Sequence, residues 1–251
     1  MILNYQQIQD MVEGGKILSK ILKELVAVVK PDMTTSDFDT LAREFMKREN
    51  VEPSFPTVDN YPAALCTSLN DEAVHAIPSD RVIKNGDLLK LDVGIIHKGL
   101  HTDMATTVIV GGRKFFNKEY KQKRKLLSTT EAALEAGINM ARVGNTIGDI
   151  GQAIQEVVEE NGFTIVRELG GHGIGRTLHE NPFLPNYRDG NYNDELVLGM
   201  ALAIEPITSL GSGKISESVD GKGYRIKDGS LSAHFEHTII ITEKEPIIVT
   251  E

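Results

Sequence analysis

The run Leu88-Leu89-Lys90-Leu91-Asp92-Val93-Gly94-Ile95-Ile96-His97-Lys98-Gly99-Leu100-His101-Thr102-Asp103-Met104-Ala105-Thr106-Thr107-Val108-Ile109-Val110 has strand character from Leu88 to Ile96 and again from Thr106 to Val110, with Gly99 marking a turn between them. If the turn centres on His97-Lys98, Asp92 faces Asp103 directly; if it centres on Lys98-Gly99, the two are diagonal. Either register puts both carboxylates on one face of the hairpin, roughly 5 to 8 Å apart. Two carboxylates that close in apolar strands need a cation or a shared proton.

A second pair lies downstream. Glu205 stands in Ala203-Ile204-Glu205-Pro206 and Glu236 in Phe235-Glu236-His237-Thr238, again in strand-like surroundings. Between the pairs comes Gly170-Gly171-His172-Gly173-Ile174-Gly175-Arg176-Thr177-Leu178-His179-Glu180, where neither helix nor strand periodicity continues. A glycine on each side of His172 permits positive φ and close approach to a bound species. Four carboxylates and a histidine make a hard, oxygen-rich ligand set, suited to two divalent cations of the Mn, Fe or Co type, or Zn. Other chemistries fit less well. There is no G-x-S-x-G elbow, and Gly171 to Arg176 lacks the lysine and strand-to-helix setting of a phosphate loop. Nothing marks Cys66 as a low-pKa nucleophile, so it reads as a packing residue.

Around these segments the chain alternates helices and strands. Ile17 to Val29 is amphipathic and stops at Pro31, and Ser36 with Asp39 reads as the cap of a second helix burying Phe38, Leu41, Ala42, Phe45 and Met46. Val51 to Tyr61 is rich in proline and polar residues and reads as irregular and exposed. A long helix is expected from Phe116, ending at Gly137, and Thr146 with Asp149 caps another that stops at Asn161-Gly162. Strands are expected at Ala63 to Ser68, Thr164 to Val166, Met200 to Ile207, His237 to Ile241 and Ile247 to Val249. Helix, helix, strands thus occurs twice with no linker between, which predicts one α+β domain over residues 1–251 with halves of about 1–112 and 113–251.

The 251 residues carry a net charge of −9, with 40% hydrophobic and 25% charged residues, as in an ordinary globular protein. The acidic balance argues against a general nucleic-acid binder, and the basic residues from Lys114 to Lys125 read as a solvated helix face. No signal peptide or membrane span is expected, and a single cysteine rules out an internal disulfide and a thiolate zinc cluster. The expected compartment is the cytoplasm.

With these residues in view, the chain resembles the type I methionine aminopeptidases. The resemblance is carried by Cys66-Thr67-Ser68-Leu69-Asn70-Asp71-Glu72-Ala73-Val74-His75-Ala76-Ile77-Pro78, Leu91 to Gly94, Thr102 to Thr107, Gly171 to Gly175, Leu178 to Pro182, Ile204 to Pro206 and Ser232 to Thr238, in the family's order and across almost the whole chain. It implies the pita-bread fold, two pseudo-symmetric halves around a dinuclear metal site. It further implies Asp92, Asp103, His172, Glu205 and Glu236 as metal ligands, with Asp103 and Glu236 bridging. His75 and His179 would contact substrate, Glu205 would shuttle the proton, and His179 would stabilise the oxyanion. The implied substrate is a nascent polypeptide with an initiator methionine and a small second residue, the ribosome is a candidate partner, and a monomer is the implied state.

The sequence departs from the family around the methionine pocket. The His-Gly-aromatic-Pro stretch common before the cysteine motif is Thr57-Val58-Asp59-Asn60-Tyr61-Pro62 here, retaining Tyr61 and Pro62. Phe55 stands where a smaller residue is common, Leu178 replaces a frequent phenylalanine, and the chain has no tryptophan, Lys222 to Tyr224 occupying that region. Phe55, Tyr61, Cys66 and Leu178 are the expected pocket residues. Two alternatives stand beside this reading: a proline-directed Xaa-Pro aminopeptidase or dipeptidase of the same fold, and a non-catalytic binding module that has kept it.

Overall fold

A computed structural model describes residues 1–112 and 118–251. Four helices carry the scaffold: α1 (Tyr5–Ala27), α2 (Thr35–Glu49), α3 (Lys118–Met140) and α4 (Ile147–Glu160). Phe116 and Lys114 lie outside the described residues. Helix α1 starts at an Asn4–Gln7 capping box, about three turns before the apolar run that begins at Ile17. Helix α2 is capped by Thr34 with Asp37 rather than by Ser36 with Asp39. Asp39 has other partners: it pairs with Arg43 at 2.8 Å and accepts the Ala64 N–H at 2.6 Å. The Thr146–Asp149 box at the start of α4 forms as expected. Helix α3 continues through Gly137 to Met140, because that glycine serves packing: a Cβ there would lie 2.9 Å from Ile154 Cδ1 on α4.

Among the described residues the main sheet has nine strands. Its path runs Glu52–Pro53, Leu88–His97, Leu100–Ile109, Glu236–Ile240, Ala201–Ile204, Gly170–Gly173, Glu180–Pro185, every pairing antiparallel. Leu65–Leu69 also pairs with Leu88–His97, and Ile247–Ile248 with Glu236–Ile240. Two cores lie on the helical side. One joins α1 and α2 to Leu65, Leu89, Leu91, Val93 and Ile95; the other joins α3 and α4 to Leu202, Ile204, Ile239 and Ile241. Strand alternation sends the intervening side chains, among them Asp92, Ala203 and Thr238, to the opposite face.

Two expectations are corrected. The run Met200 to Ile207 is broken into Ala201–Ile204 and Ile207–Ser209, since Pro206 has no N–H to continue the ladder. Val51 to Tyr61 is not wholly exposed: Ser54 and Phe55 are buried, and the Ser54 N–H donates to Gly94 O at 2.9 Å.

Glycine 15, on α1, sits against the segment that follows the strand Ile247–Ile248, where a Cβ would come within 2.0 Å of Val249 O. Alanine should gain about 1 kcal/mol in helix propensity, but a backbone collision of this depth costs more, on the order of 1–3 kcal/mol. Gly15→Ala is therefore expected to destabilise the protein by about 1 kcal/mol net, read as a lower urea midpoint at unchanged m-value.

Candidate metal centre and active site

Side-chain alternation and register bring the carboxylates together. The hairpin turns at Lys98 and Gly99, both at positive φ (50° and 75°), so Asp92 faces Ala105 and Asp103 faces Gly94. The aspartates are the diagonal pair. Glycine at 94 makes room for this, because a Cβ there would lie 3.3 Å from Asp103 Oδ1 and 2.9 Å from the Phe55 ring. Glu236 faces Ala105 from the adjacent strand. Ala203 stands opposite both Thr238 and His172, which brings His172 into the next row, and Glu205 directly follows the strand Ala201–Ile204. Asp103, His172 and Glu236 offer donor atoms within 4.8 Å of one another, and all five residues expected to bind metal line one cavity.

The seam between the strands of the two halves is held by hydroxyls as well as by ladder bonds. Thr238 Oγ1 accepts from Asp103 N and donates to Asp103 O, each at 2.8 Å. Thr107 Oγ1 donates to His234 O at 2.7 Å and accepts from His234 N at 2.9 Å. Asp103 and the residues before Glu236 are thus fixed at the backbone.

Glycines 171 and 173 act differently from the sequence expectation. They belong to the strand Gly170–Gly173 and neither takes positive φ. A Cβ on Gly171 would lie 2.2 Å from Ala203 O, and one on Gly173 2.2 Å from Asn181 O. They let neighbouring backbones close around His172 rather than letting a ligand approach.

The cluster's chemistry fits cations. Asp92, Asp103 and Glu236 are buried and Glu205 largely so. Burial first, then mutual repulsion, pushes the Asp92 and Glu236 carboxyls well above the usual range; Glu205 follows, and burial lifts Asp103 to about 7. Asp92 Oδ1 and Glu236 Oε1 are buried without a hydrogen-bond partner. His172 Nδ1 lies 2.8 Å from Gly173 O; a carbonyl only accepts, so Nδ1 carries the proton and Nε2 presents its lone pair. That lone pair faces Glu205 Oε1 at 3.7 Å, too far for a hydrogen bond between them. Divalent cations would satisfy groups of this kind in this arrangement.

Above the carboxylates opens a cavity of about 310 Å³, with Phe55, Tyr61, Cys66 and Leu178 in its wall. All four expected pocket residues are therefore brought together. Cys66 stands opposite Asp92, and burial with that carboxylate raises its thiol pKa, against any nucleophilic role. Tyr61 donates its hydroxyl to Ala76 O at 3.0 Å. His75 takes positive φ (59°), and burial lowers its pKa to about 4, so its imidazole is neutral. His179 is exposed, with its ring 4.5 Å from that of His172 and nearly perpendicular to it. Lys222 Nζ donates to Asp59 O at 2.6 Å, joining two segments that line the cavity.

Sequence reasoning missed His234. Its Nε2 lies 3.4 Å from Glu205 Oε2 and 3.7 Å from Glu236 Oε2. The criterion that singled out the acids, a polar side chain in an apolar strand-like run, applies equally to Ala233-His234-Phe235.

Two helix pairs over a shared sheet, with this carboxylate cluster on the other face, make up the pita-bread architecture of metallopeptidases. The chain belongs to metallopeptidase family M24, matched over residues 9–243, and within it to the methionine aminopeptidases. It is 40% identical over 259 residues to the methionine aminopeptidase of Aquifex aeolicus, covering 100% of this chain and 98% of that one. The crystal structure of the Thermotoga maritima methionine aminopeptidase matches it with a TM-score of 0.94 at 39% identity, covering 100% and 99% of the two chains. Prolidase from Pyrococcus furiosus, at 20% identity and a TM-score of 0.78, covers 100% of this chain and 65% of that one and shares the fold alone. Full-length likeness thus favours the methionine enzymes over the proline-directed and non-catalytic alternatives.

The raised Asp103 carboxyl sets a pH dependence for chelated protein. Between its unfolded pKa of 3.8 and the folded value of about 7, the folded state holds the extra proton, so stability falls as pH rises through that window, by up to about 4 kcal/mol. Asp103→Asn is expected to flatten this slope in urea titrations at pH 4 to 7 with chelator present. A slope equal to that of wild type contradicts the burial argument.

Proposed function

We propose that the chain hydrolyses the N-terminal methionine from nascent polypeptides, preferring a small second residue, at a centre of two divalent cations (Co, Mn, Fe or Zn) held by Asp92, Asp103, His172, Glu205 and Glu236. The observation that carries this reading is the buried meeting of four carboxylates with the His172 Nε2 lone pair at the base of the cavity. Four negative ligands would balance two dications, and Asp103 and Glu236, diagonal to each other across the strand pair, would be the ligands shared between them. Bound there, the cations supply Lewis acidity, acidifying water toward neutral pH and polarising the scissile carbonyl.

The protein's own groups do the rest. Glu205, lining the cavity beside His172, accepts the proton from the attacking water and returns it to the leaving amine. His179, at the rim beside His172, donates a hydrogen bond to the developing oxyanion. Neutral His75, also in the cavity wall, positions the peptide. Phe55, Tyr61, Cys66 and Leu178 enclose the methionine side chain, apolar wall against thioether. The Lys222–Asp59 hydrogen bond joins two segments of the cavity wall, which supports a small second residue.

In this reading residues 1–251 act as one catalytic domain, with halves of about 1–112 and 113–251, in the cytoplasm and as a monomer, with the ribosome as a candidate partner where nascent chains emerge. No helix among the described residues is long and apolar enough to cross a membrane.

Turnover of Met-Ala-Ser and Ala-Pro across a series of added metals tests the assignment. Methionine release with negligible Ala-Pro cleavage is expected, and the reverse preference refutes it. His179→Ala should remain folded and bind metal, with kcat lower by about 10²-fold or more; a wild-type kcat removes His179 from the oxyanion role.

A further inference from the structure

His234 is the one histidine at the carboxylate cluster that neither the sequence reading nor the proposed mechanism uses. It is 1% exposed, and both ring nitrogens lack a hydrogen-bond partner. A buried imidazole with no partner is costly, on the order of 1–3 kcal/mol for an unsatisfied polar group. The ring is nevertheless held in place. Thr107 Oγ1 fixes the His234 backbone from both sides, and His234 pairs in register with Ile207, two residues after Glu205. Nε2 is turned toward carboxylate oxygens of Glu205 and Glu236, 3.4 and 3.7 Å away. These separations are long for hydrogen bonds. They match donors that share a cation, since two atoms each about 2.1 Å from one ion lie about 3 to 3.5 Å apart. Glu205, His234 and Glu236 offer donor atoms that all fall within 4.8 Å of one another.

We propose that His234 Nε2 is a sixth protein donor to the metal centre, binding the cation held between Glu205 and Glu236. This rests on the metal-centre reading above and extends it. Each oxygen of Glu205 then faces an imidazole, His172 Nε2 at Oε1 and His234 Nε2 at Oε2. The donor set becomes four carboxylates and two imidazoles. A second nitrogen donor shifts preference from Mn(II), which favours oxygen, toward Co(II), Fe(II) or Zn(II). His234 and His172 differ in how they are oriented: His172 has its second nitrogen bonded to Gly173 O, whereas His234 relies on its backbone anchor.

The test compares wild type with His234→Gln, which keeps the approximate length and removes the imidazole. Calorimetric titration of the full chain with Co(II) and with Mn(II), both at one pH, should show Co(II) affinity reduced about tenfold or more in the variant, and Mn(II) affinity reduced less. In the Co(II)-loaded wild type, proton NMR should show two hyperfine-shifted imidazole N–H signals, one of which is lost in His234→Gln. Either an unchanged Co(II) affinity or a single shifted imidazole in wild type overturns the proposal while leaving the five-ligand centre standing. Wild type that binds neither cation refutes the metal centre itself, and this inference with it. If His234→Gln fails to fold, the wild-type imidazole count decides alone.

Discussion

Four carboxylates buried within a few ångströms of one another are the constraint on which the rest of this structure depends. Uncompensated, Asp92, Asp103, Glu205 and Glu236 repel each other and lose hydration; the raised pKa values of Asp92, Glu205 and Glu236 express both effects and that of Asp103 its burial. A fold keeps such a cluster only if its backbone is held rigidly from elsewhere and if cations neutralise the charge when the site is at work. The two helix pairs meet the first requirement. Each covers its part of the sheet with a separate apolar core, so the opposite face can carry polar side chains.

Close backbone approach and hydroxyl bridges hold the site's geometry. Gly94 leaves space for Asp103 and Phe55, while Gly171 and Gly173 bring the strand bearing His172 tightly between its neighbours. Thr107 and Thr238 join strands from the two halves through side-chain oxygens, one beside Asp103 and the other beside His234. The two halves therefore meet at the carboxylate cluster, and a shift at the seam would move side chains belonging to both.

Much of this was legible in the residues. Acids in apolar strands marked the site, because burying a carboxylate is too costly to be incidental. The Asp92–Asp103 relation followed from hairpin alternation in either register, and the Thr146–Asp149 box followed from its spacing. The cap of α2 was misplaced by two residues because Thr34 and Ser36 are both competent caps, and the choice between them lies in where Asp39 finds its partner, Ala64 N. Gly137 looked like a helix end, yet it is a contact point with Ile154. His234 passed unnoticed because one histidine in a strand-like run is uninformative until its neighbours in space are known.

By itself the sequence determined the fold class, the family, the four acids and His172, since periodicity, the cost of buried charge and ordered motifs are all local properties of the chain. Only the tertiary structure decided the hairpin register, the role of the glycines beside His172, the gathering of Phe55, Tyr61, Cys66 and Leu178 around one cavity, and the approach of His234 to Glu205 and Glu236. The cavity gathers residues as far apart in sequence as Phe55 and Leu178, Gly171 meets Ala203, and His234 meets Glu205. Side-chain reach across strands is set by register and packing, which no local pattern encodes.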